Sequence, residues 1–556
     1  MKRTLFSCMF LSLMAATSLA LAHTKEKPAE KPDADSKAKE SEKPGESQYF
    51  KPESVTTKSS VTVEGTRVDY EAVSGTIVVH PRGWDDSAPK PDKDKDKGDD
   101  SGHNPDAEAS MFYVAYFKTG AASTQRPLMF LFNGGPGSAT VWLHMGAFGP
   151  RRVVTADDTH TPAAPYQVVN NDYSLLDASD LVFIDAPATG FSRIEGKDAE
   201  KAFFGVDVDA HAFGEFITAF LSKYSRWNSP KYIFGESYGT PRAAVLVNLL
   251  QDNYSVDVNG VVMLSQILNF DLSVDGAEGN PGVDLPYVVA LPTYAATAWY
   301  HKKLAGTRPD KLETLLEEVE AFATGDYAKA LMMGAELPAS QRDAIANKLH
   351  EYTGLPVAYI QKANLRIDGG EFEKNLQDDA DMTTGRLDSR FSGPTLDPLS
   401  KESEYDPQSS AISSAYVSAF NDYVRGTLKY GADKTYRPFY PAWRDWDLAH
   451  RQPGAGEGQQ PCNTMPDLAV AMKQNPGLKV LLTGGYFDIA TPFYEGWYEM
   501  HHLKIPASLQ NNITYHYYAS GHMVYAHQES LKAIHDDVAS FVAATNNVKT
   551  SSVKKK

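Results

Sequence analysis

Short runs of apolar and β-branched residues recur at positions 61–70, 75–80, 111–117, 128–132, 181–185, 231–234, 261–265, 478–483 and 513–518. Runs of this length and composition predict strands. The early ones lie close enough together for antiparallel meanders. The later ones alternate with longer amphipathic stretches, as in 209–224, where Phe213, Phe216, Phe220 and Tyr224 recur at helical spacing. Strands alternating with helices predict βαβ units and hence a mostly parallel sheet with helices on both faces. Residues 275–435 read differently. They hold no convincing strand, and in 310–323 Leu312, Leu315, Leu316, Val319 and Phe322 line one helical face. A helical stretch between sheet strands predicts an inserted cap, expected to shape a pocket at the strand ends. No repeat of fixed period is visible.

At 556 residues and 42% hydrophobic content the chain can bury a large core. It begins Met1-Lys2-Arg3, continues as an apolar run and closes on Ala20-Leu21-Ala22, which predicts a cleaved export signal over 1–22. No other apolar run is long enough to span a bilayer. Residues 23–48 mix Lys, Glu, Pro and Ser with almost no large apolar side chains, the composition of a solvated tether. A second polar stretch, 85–108 with "KPDKDKDKGDD" at its centre, predicts a long surface loop, and 547–556 a disordered tail. The folded core is expected over 49–274 and 436–546, with the cap as 275–435. Of the two cysteines, Cys8 falls in the signal, so Cys462 has no disulfide partner and the fold must stand on its core. A net charge of -17 argues against nucleic acid or an anionic membrane as main partner. The expected class is a soluble exported protein, periplasmic or secreted.

The candidate chemistry starts at Gly235-Glu236-Ser237-Tyr238-Gly239. A predicted strand precedes this G-x-S-x-G and a helical run follows it, the context in which flanking glycines allow a tight turn that lifts a serine oxygen above a sheet. A serine hydroxyl needs a base, held in turn by an acid. Asp488 follows the strong apolar run in "LKVLLTGGYFD", and His522 follows the 513–518 strand in "ASGH". Both therefore emerge at the sheet edge where Ser237 emerges. His501, His502, His516 and His527 lie within helical or strand patterns and read as surface or packing residues. The run "LMFLFNGGPGSA" places Asn133-Gly134-Gly135-Pro136-Gly137 after another strand, where small residues permit the close backbone approach an oxyanion hole requires. One N–H would come from that loop and the other from Tyr238. No cluster of histidines or carboxylates has metal-ligand spacing, and no cofactor is expected.

With these stations in order, the chain resembles the serine carboxypeptidase family of the α/β-hydrolase fold. The matching segments are "NGGPG" with "FGP" after it, "LVFIDAPATGFS" (181–192), "GESYG", the G-x-x-D-x-x-x-P box at 485–492, and "GHMV" at 521–524. The resemblance implies an α/β-hydrolase core with an inserted helical cap and a catalytic triad of Ser237, Asp488 and His522. It also implies oxyanion donors at Gly135 and Tyr238. Asn133 and Glu236 would bind the free C-terminal carboxylate of a peptide, and Trp142 falls in the stretch that lines the leaving-group pocket. Two carboxyls at hydrogen-bond distance cannot both stay ionised, so Glu236 would carry a proton when it meets that carboxylate. The sequence departs from the family pattern at Ser138, where a cysteine is usual, and at Ala147, where members active at acidic pH place a second glutamate. Tyr525 and Arg193 stand where proline and tyrosine are usual.

A glutamate before the nucleophile also occurs in carboxylesterases, which typically build the oxyanion hole from an HGGG-type loop rather than NGGPG. Acyl transfer needs only small changes in a pocket of this kind, so esterase and acyltransferase chemistry stay open at this point. A catalytically inactive binding protein would not need all three triad residue types in these contexts. The oligomeric state is not encoded in any pattern above.

Overall fold

A computed structural model describes residues 49–88, 104–306, 308–456, 458 and 462–548. The expected signal and tether (1–48), most of the 85–108 loop and residues 549–556 lie outside the described residues. The chain opens with three long strands, β1 (Ser54–Val63), β2 (Thr66–Val79) and β3 (Glu108–Lys118), paired antiparallel in that order. β4 (Leu128–Phe132) follows. β5 (Arg151–Val153) and β6 (Val168–Asn170) form a small separate ribbon. β7 (Asp180–Ile184) returns to the main sheet, and the short β8 (Arg193–Glu195) pairs with β3. β9 (Lys231–Glu236) and β10 (Gly260–Leu264) precede the insertion, which carries its own two-stranded pair, β11 (Met382–Thr384) and β12 (Ser392–Pro394). β13 (Lys479–Gly485) and β14 (Ile513–Tyr518) complete the sheet.

Along the main sheet the order is β1-β2-β3-β7-β4-β9-β10-β13-β14. From β7 to β14 every neighbouring pair is parallel. Because the inner strands β7, β4 and β10 are buried on both faces, their sequences are continuous apolar runs rather than alternating ones, whereas the edge strand β14 is partly exposed. Met129 and Leu131 of β4 face one hydrophobic cluster, together with Leu531, Ile534 and Val538 of helix Gln528–Thr545. Leu128, Phe130 and Phe132 face the other, with helices Val206–Lys223 and Gly239–Tyr254. The expected α/β class, with helices on both faces of a mostly parallel sheet, is what the structure has.

Three expectations change. The stretch 275–435, expected to hold no convincing strand, carries the short pair β11 and β12. The run read as one strand over 61–70 is a hairpin: Glu64 and Gly65 turn at φ 44° and 81° between β1 and β2. The two-residue turn lies in the polar run 64–67, and across it the apolar positions switch from 61 and 63 to 68 and 70. The cap also ends earlier than expected. Its own hydrophobic cluster draws on residues from Val274 to Leu376 and on Phe487, Ile489, Phe493 and Tyr494. Helix Pro407–Gly426 instead turns Ala411, Ile412, Ala415, Tyr416, Ala419 and Phe420 onto the sheet cluster. Its small and aromatic residues at helical spacing suit close packing against the core.

Candidate active site

Only Ser237 and Tyr238 separate β9 from the helix Gly239–Tyr254. Ser237 takes a left-handed φ of 59°, a conformation costing a non-glycine residue about 1 kcal/mol or more. Its N–H donates to Leu264 O of β10 at 3.0 Å, and the residue is half-buried at the carboxyl edge of the sheet. The flanking glycines are required by space: a Cβ on Gly235 would sit 2.1 Å from the Gly239 carbonyl oxygen.

The glycine-rich loop 133–137 lies directly against this turn. A Cβ on Gly134 would meet the Tyr238 nitrogen at 2.4 Å, and Gly135 and Gly137 adopt φ of 108° and 96°. Among the described residues, the hydrogen bonds of loops and turns use neither the Gly135 nor the Tyr238 N–H as donor. Three contacts fix the loop from outside. The buried Arg242, paired with Asp209 at 2.6 Å, donates to Asn133 O at 2.8 Å. A strap at 437–447 supplies Pro438 O to the Ala139 N–H (2.9 Å) and takes Gly137 O with the Tyr440 N–H (2.8 Å). From the same strap, Trp446 Nε1 donates to the Tyr238 hydroxyl at 2.9 Å.

The next two strand ends carry Asp488 and His522. His522 Nδ1 lies 2.8 Å from Asp488 Oδ2, and Asp488 also accepts from the Thr491 N–H (3.1 Å) and hydroxyl (2.7 Å). Asp488 is fully buried and His522 is 5% exposed. Burial pulls the His522 imidazole down, but the charge and hydrogen bond of Asp488 and the charge of Glu236 outweigh it and leave it above its ordinary value. A segment of the insertion is wedged between the two loops. Leu387 O accepts the His522 N–H at 2.6 Å, Arg386 O accepts the Ile489 N–H at 3.0 Å, and the Gly521 N–H donates to Asp388 at 3.2 Å. Arg390 neutralises the buried Asp388 at 2.6 Å. Ser265, next to the residue that binds the Ser237 N–H, donates its hydroxyl to His522 O at 2.8 Å and so ties His522 to the turn.

Glu236 points into the protein beside the serine and is 2% exposed. Burial pushes its carboxyl up to about 7, opposed by the His522 charge and by hydrogen bonds from Tyr525 and Asn133. The Tyr525 hydroxyl donates to both carboxyl oxygens, at 2.9 and 3.1 Å. Asn133 accepts the Leu143 N–H through Oδ1 at 3.1 Å, which leaves its amide NH₂ for Glu236. Ala147 is fully buried, one residue after Gly146 in a π-helical turn over Leu143–Phe148. Trp142 is only 6% exposed: its Nε1 donates to Ser138 at 2.8 Å, and its ring packs between Tyr416 and Phe439. The exposed aromatic of that group is Phe439, 59% accessible. Arg193 is buried and donates to Gly190 O at 3.0 Å, a structural role.

His501, His502, His516 and His527 each have partners of their own. His501 and His502 stack on Trp497 and Tyr498, His516 lies 3.0 Å from Asp537, and His527 meets Ser530. Surface hollows of about 410 and 630 Å³ open elsewhere, one in the cap beside Glu278 and Arg366, the other beside Phe204 and Asp447. Sequence reading did not find Thr491, the 386–390 wedge, the 437–447 strap or the contact of Tyr525 with Glu236. Only Thr491 carried a local signal, a hydroxyl residue three positions after Asp488.

The strand order, the serine at the sharp turn after β9 and the helices on both faces make this an α/β-hydrolase fold. Within that class the chain belongs to the serine carboxypeptidase family, whose sequence model matches residues 93–387. The match takes in Asn133, Gly135, Glu236, Ser237 and Tyr238 and ends before Asp488 and His522. Serine carboxypeptidase-like 36 of Arabidopsis thaliana is 26% identical over 177 residues, 30% of this chain and 34% of that protein. Serine carboxypeptidase-like 33 of the same plant is 25% identical over 156 residues, 28% of this chain and 31% of that protein. The chain thus spans about a third of the length of the curated relatives it matches. Among solved structures, a proline iminopeptidase of Mycobacterium smegmatis aligns at 13% identity, covering 79% of this chain and 96% of that one, with a TM-score of 0.33. An esterase of Thermogutta terrifontis aligns at 10% identity over 79% and 95%, with a TM-score of 0.29.

Proposed function

We propose that this protein is an exported serine carboxypeptidase that releases residues from the free C-terminus of peptides through an acyl-enzyme. The observation that carries the reading is the pairing of His522 with the buried Asp488 at 2.8 Å on the sheet edge that also bears Ser237 and a buried Glu236. His522 takes the Ser237 proton as the oxygen attacks the scissile carbonyl, then passes it to the leaving amine. Asp488 holds the imidazole through Nδ1, so that Nε2 is the basic nitrogen. The Gly135 and Tyr238 N–H groups receive the developing oxyanion, and water resolves the acyl-enzyme. Asn133 and protonated Glu236 donate to the terminal carboxylate.

The pH dependence follows from two groups with opposite requirements. His522 must be neutral to act as base, so activity rises with pH as it loses its proton, through a value above the ordinary imidazole range. Glu236 must be protonated to receive a carboxylate, so binding of free-acid peptides falls as pH rises through about 7. The two groups interact, so the profile reports the pair rather than either residue.

One peptide offered as free acid and as C-terminal amide, to wild type and to Ser237→Ala, tests the reading. The free acid is cleaved preferentially by wild type and neither form by the variant, with kcat falling by about 10⁴ or more. Equal cleavage of acid and amide removes the carboxylate recognition; activity surviving in Ser237→Ala removes the nucleophile.

A further inference from the structure

We propose that Tyr525 is a positioning residue of this site: its hydroxyl holds the Glu236 carboxyl and sets the pH range over which a peptide's terminal carboxylate is accepted. This rests on the carboxypeptidase reading above. Tyr525 is 3% exposed, and its hydroxyl reaches both Glu236 oxygens, at 2.9 and 3.1 Å, across 289 positions of sequence. The fit depends on a missing side chain. A Cβ on Gly146 would lie 2.8 Å from Tyr525 Cδ2 and 2.6 Å from Tyr416 Cε1, so glycine there lets both rings pass behind the oxyanion loop.

The groups facing Glu236 come from every element around it. His522 and Tyr525 reach it from the loop after β14, Asp488 from the loop after β13, Tyr416 from helix Pro407–Gly426 and Asn133 from the loop after β4. Arg152 lies behind Tyr416. The π-helical turn contributes Gly146 and Ala147, which carry no charge and no donor beyond the backbone. Among the described residues, Tyr525 and Asn133 supply the side-chain hydrogen bonds to the Glu236 carboxyl. The direct side-chain donors to its carboxyl are therefore neutral, and Tyr525 is the one that touches both oxygens. Burial, reinforced by the Glu236 charge, drives the Tyr525 phenol far above its ordinary value, so it stays protonated and remains a donor throughout. A permanent donor favours the ionised carboxyl; burial favours the neutral one. Tyr525 thus offsets part of the burial and keeps Glu236 able to exchange its proton near neutrality.

Replacing Tyr525 by phenylalanine keeps the ring over Gly146 and removes the donor. The falling limb of kcat/KM for a free-acid peptide then moves up by about one pH unit. The change appears in KM, with kcat on the plateau within about twofold and the matching amide unaffected. A purely structural tyrosine would lower both substrates together without moving the limb. A difluorotyrosine at 525, a stronger donor of nearly the same shape, moves the limb down and keeps the test alive if Tyr525→Phe folds poorly. A readout without substrate is the infrared carboxyl band assigned by its loss in Glu236→Gln. Its titration midpoint is expected near 7 in wild type, higher in Tyr525→Phe and lower in the fluorinated protein. A midpoint unmoved in both overturns the proposal, as does a shifted midpoint with an unmoved free-acid limb. A wild type that fails to prefer the free acid overturns the proposed function instead, while the titration still decides whether Tyr525 governs the Glu236 proton.

Discussion

Two buried carboxyls act on His522, and their surroundings differ. Asp488, on the loop after β13, accepts the Thr491 N–H, the Thr491 hydroxyl and the imidazole Nδ1, one of which can carry a full charge. Glu236, at the end of β9, meets a phenol and an amide, both neutral, and burial pushes it up to about 7. Burial is nearly equal, 0% against 2% exposed. What separates them is the donor set. Under the proposed mechanism the first carboxyl orients a base through a fixed bond, and the second binds substrate by holding a proton it can give up.

The sharpest way to break this contrast is to neutralise the first carboxyl. Asp488→Asn presents an amide to Nδ1 and favours the wrong imidazole tautomer, so kcat should fall about 10⁴-fold in single-turnover assays, with KM little changed. A loss below about tenfold would mean that Asp488 does not orient the base. Glu236→Gln neutralises the second. The amide still donates but no longer titrates, so the falling limb near 7 should vanish for free-acid peptides. Below that pH the amide, a weaker donor than a carboxylic acid, should lower kcat/KM by about tenfold. A limb that persists would place the titration elsewhere. The smallest effect comes from thinning the donor set of Asp488. Thr491→Val removes one hydroxyl bond and should cost about three- to tenfold in kcat while leaving the acid-to-amide preference intact.

The contrast was only half legible in the sequence. Ser237, Asp488 and His522 each follow an apolar strand within a few residues, so local pattern locates them at one sheet edge, and β4 and β14 have the residue bounds the pattern predicts. The partners that tell the two carboxyls apart are long-range. Tyr525 could be seen to depart from the family pattern, but nothing near position 525 encodes a contact with Glu236. The wedge at 386–390 and the helix Pro407–Gly426 came from a stretch whose helical periodicity reads alike whether it packs on the cap or on the sheet. At Glu64 and Gly65 the reversal does leave a local trace, a Glu-Gly step across which the apolar positions switch from 61 and 63 to 68 and 70.

The strap over the oxyanion loop bears on how the protein comes into being. Ala139 and Gly137 find their partners in Pro438 and Tyr440, about 300 positions later in the chain. At about 5–20 residues per second of synthesis, those partners leave the ribosome roughly 15–60 seconds after the loop they pin. The serine turn can form early, whereas the loop beside it waits for almost the whole polypeptide. A nascent chain therefore carries Ser237 for much of its synthesis before the loop beside it has the partners that pin it.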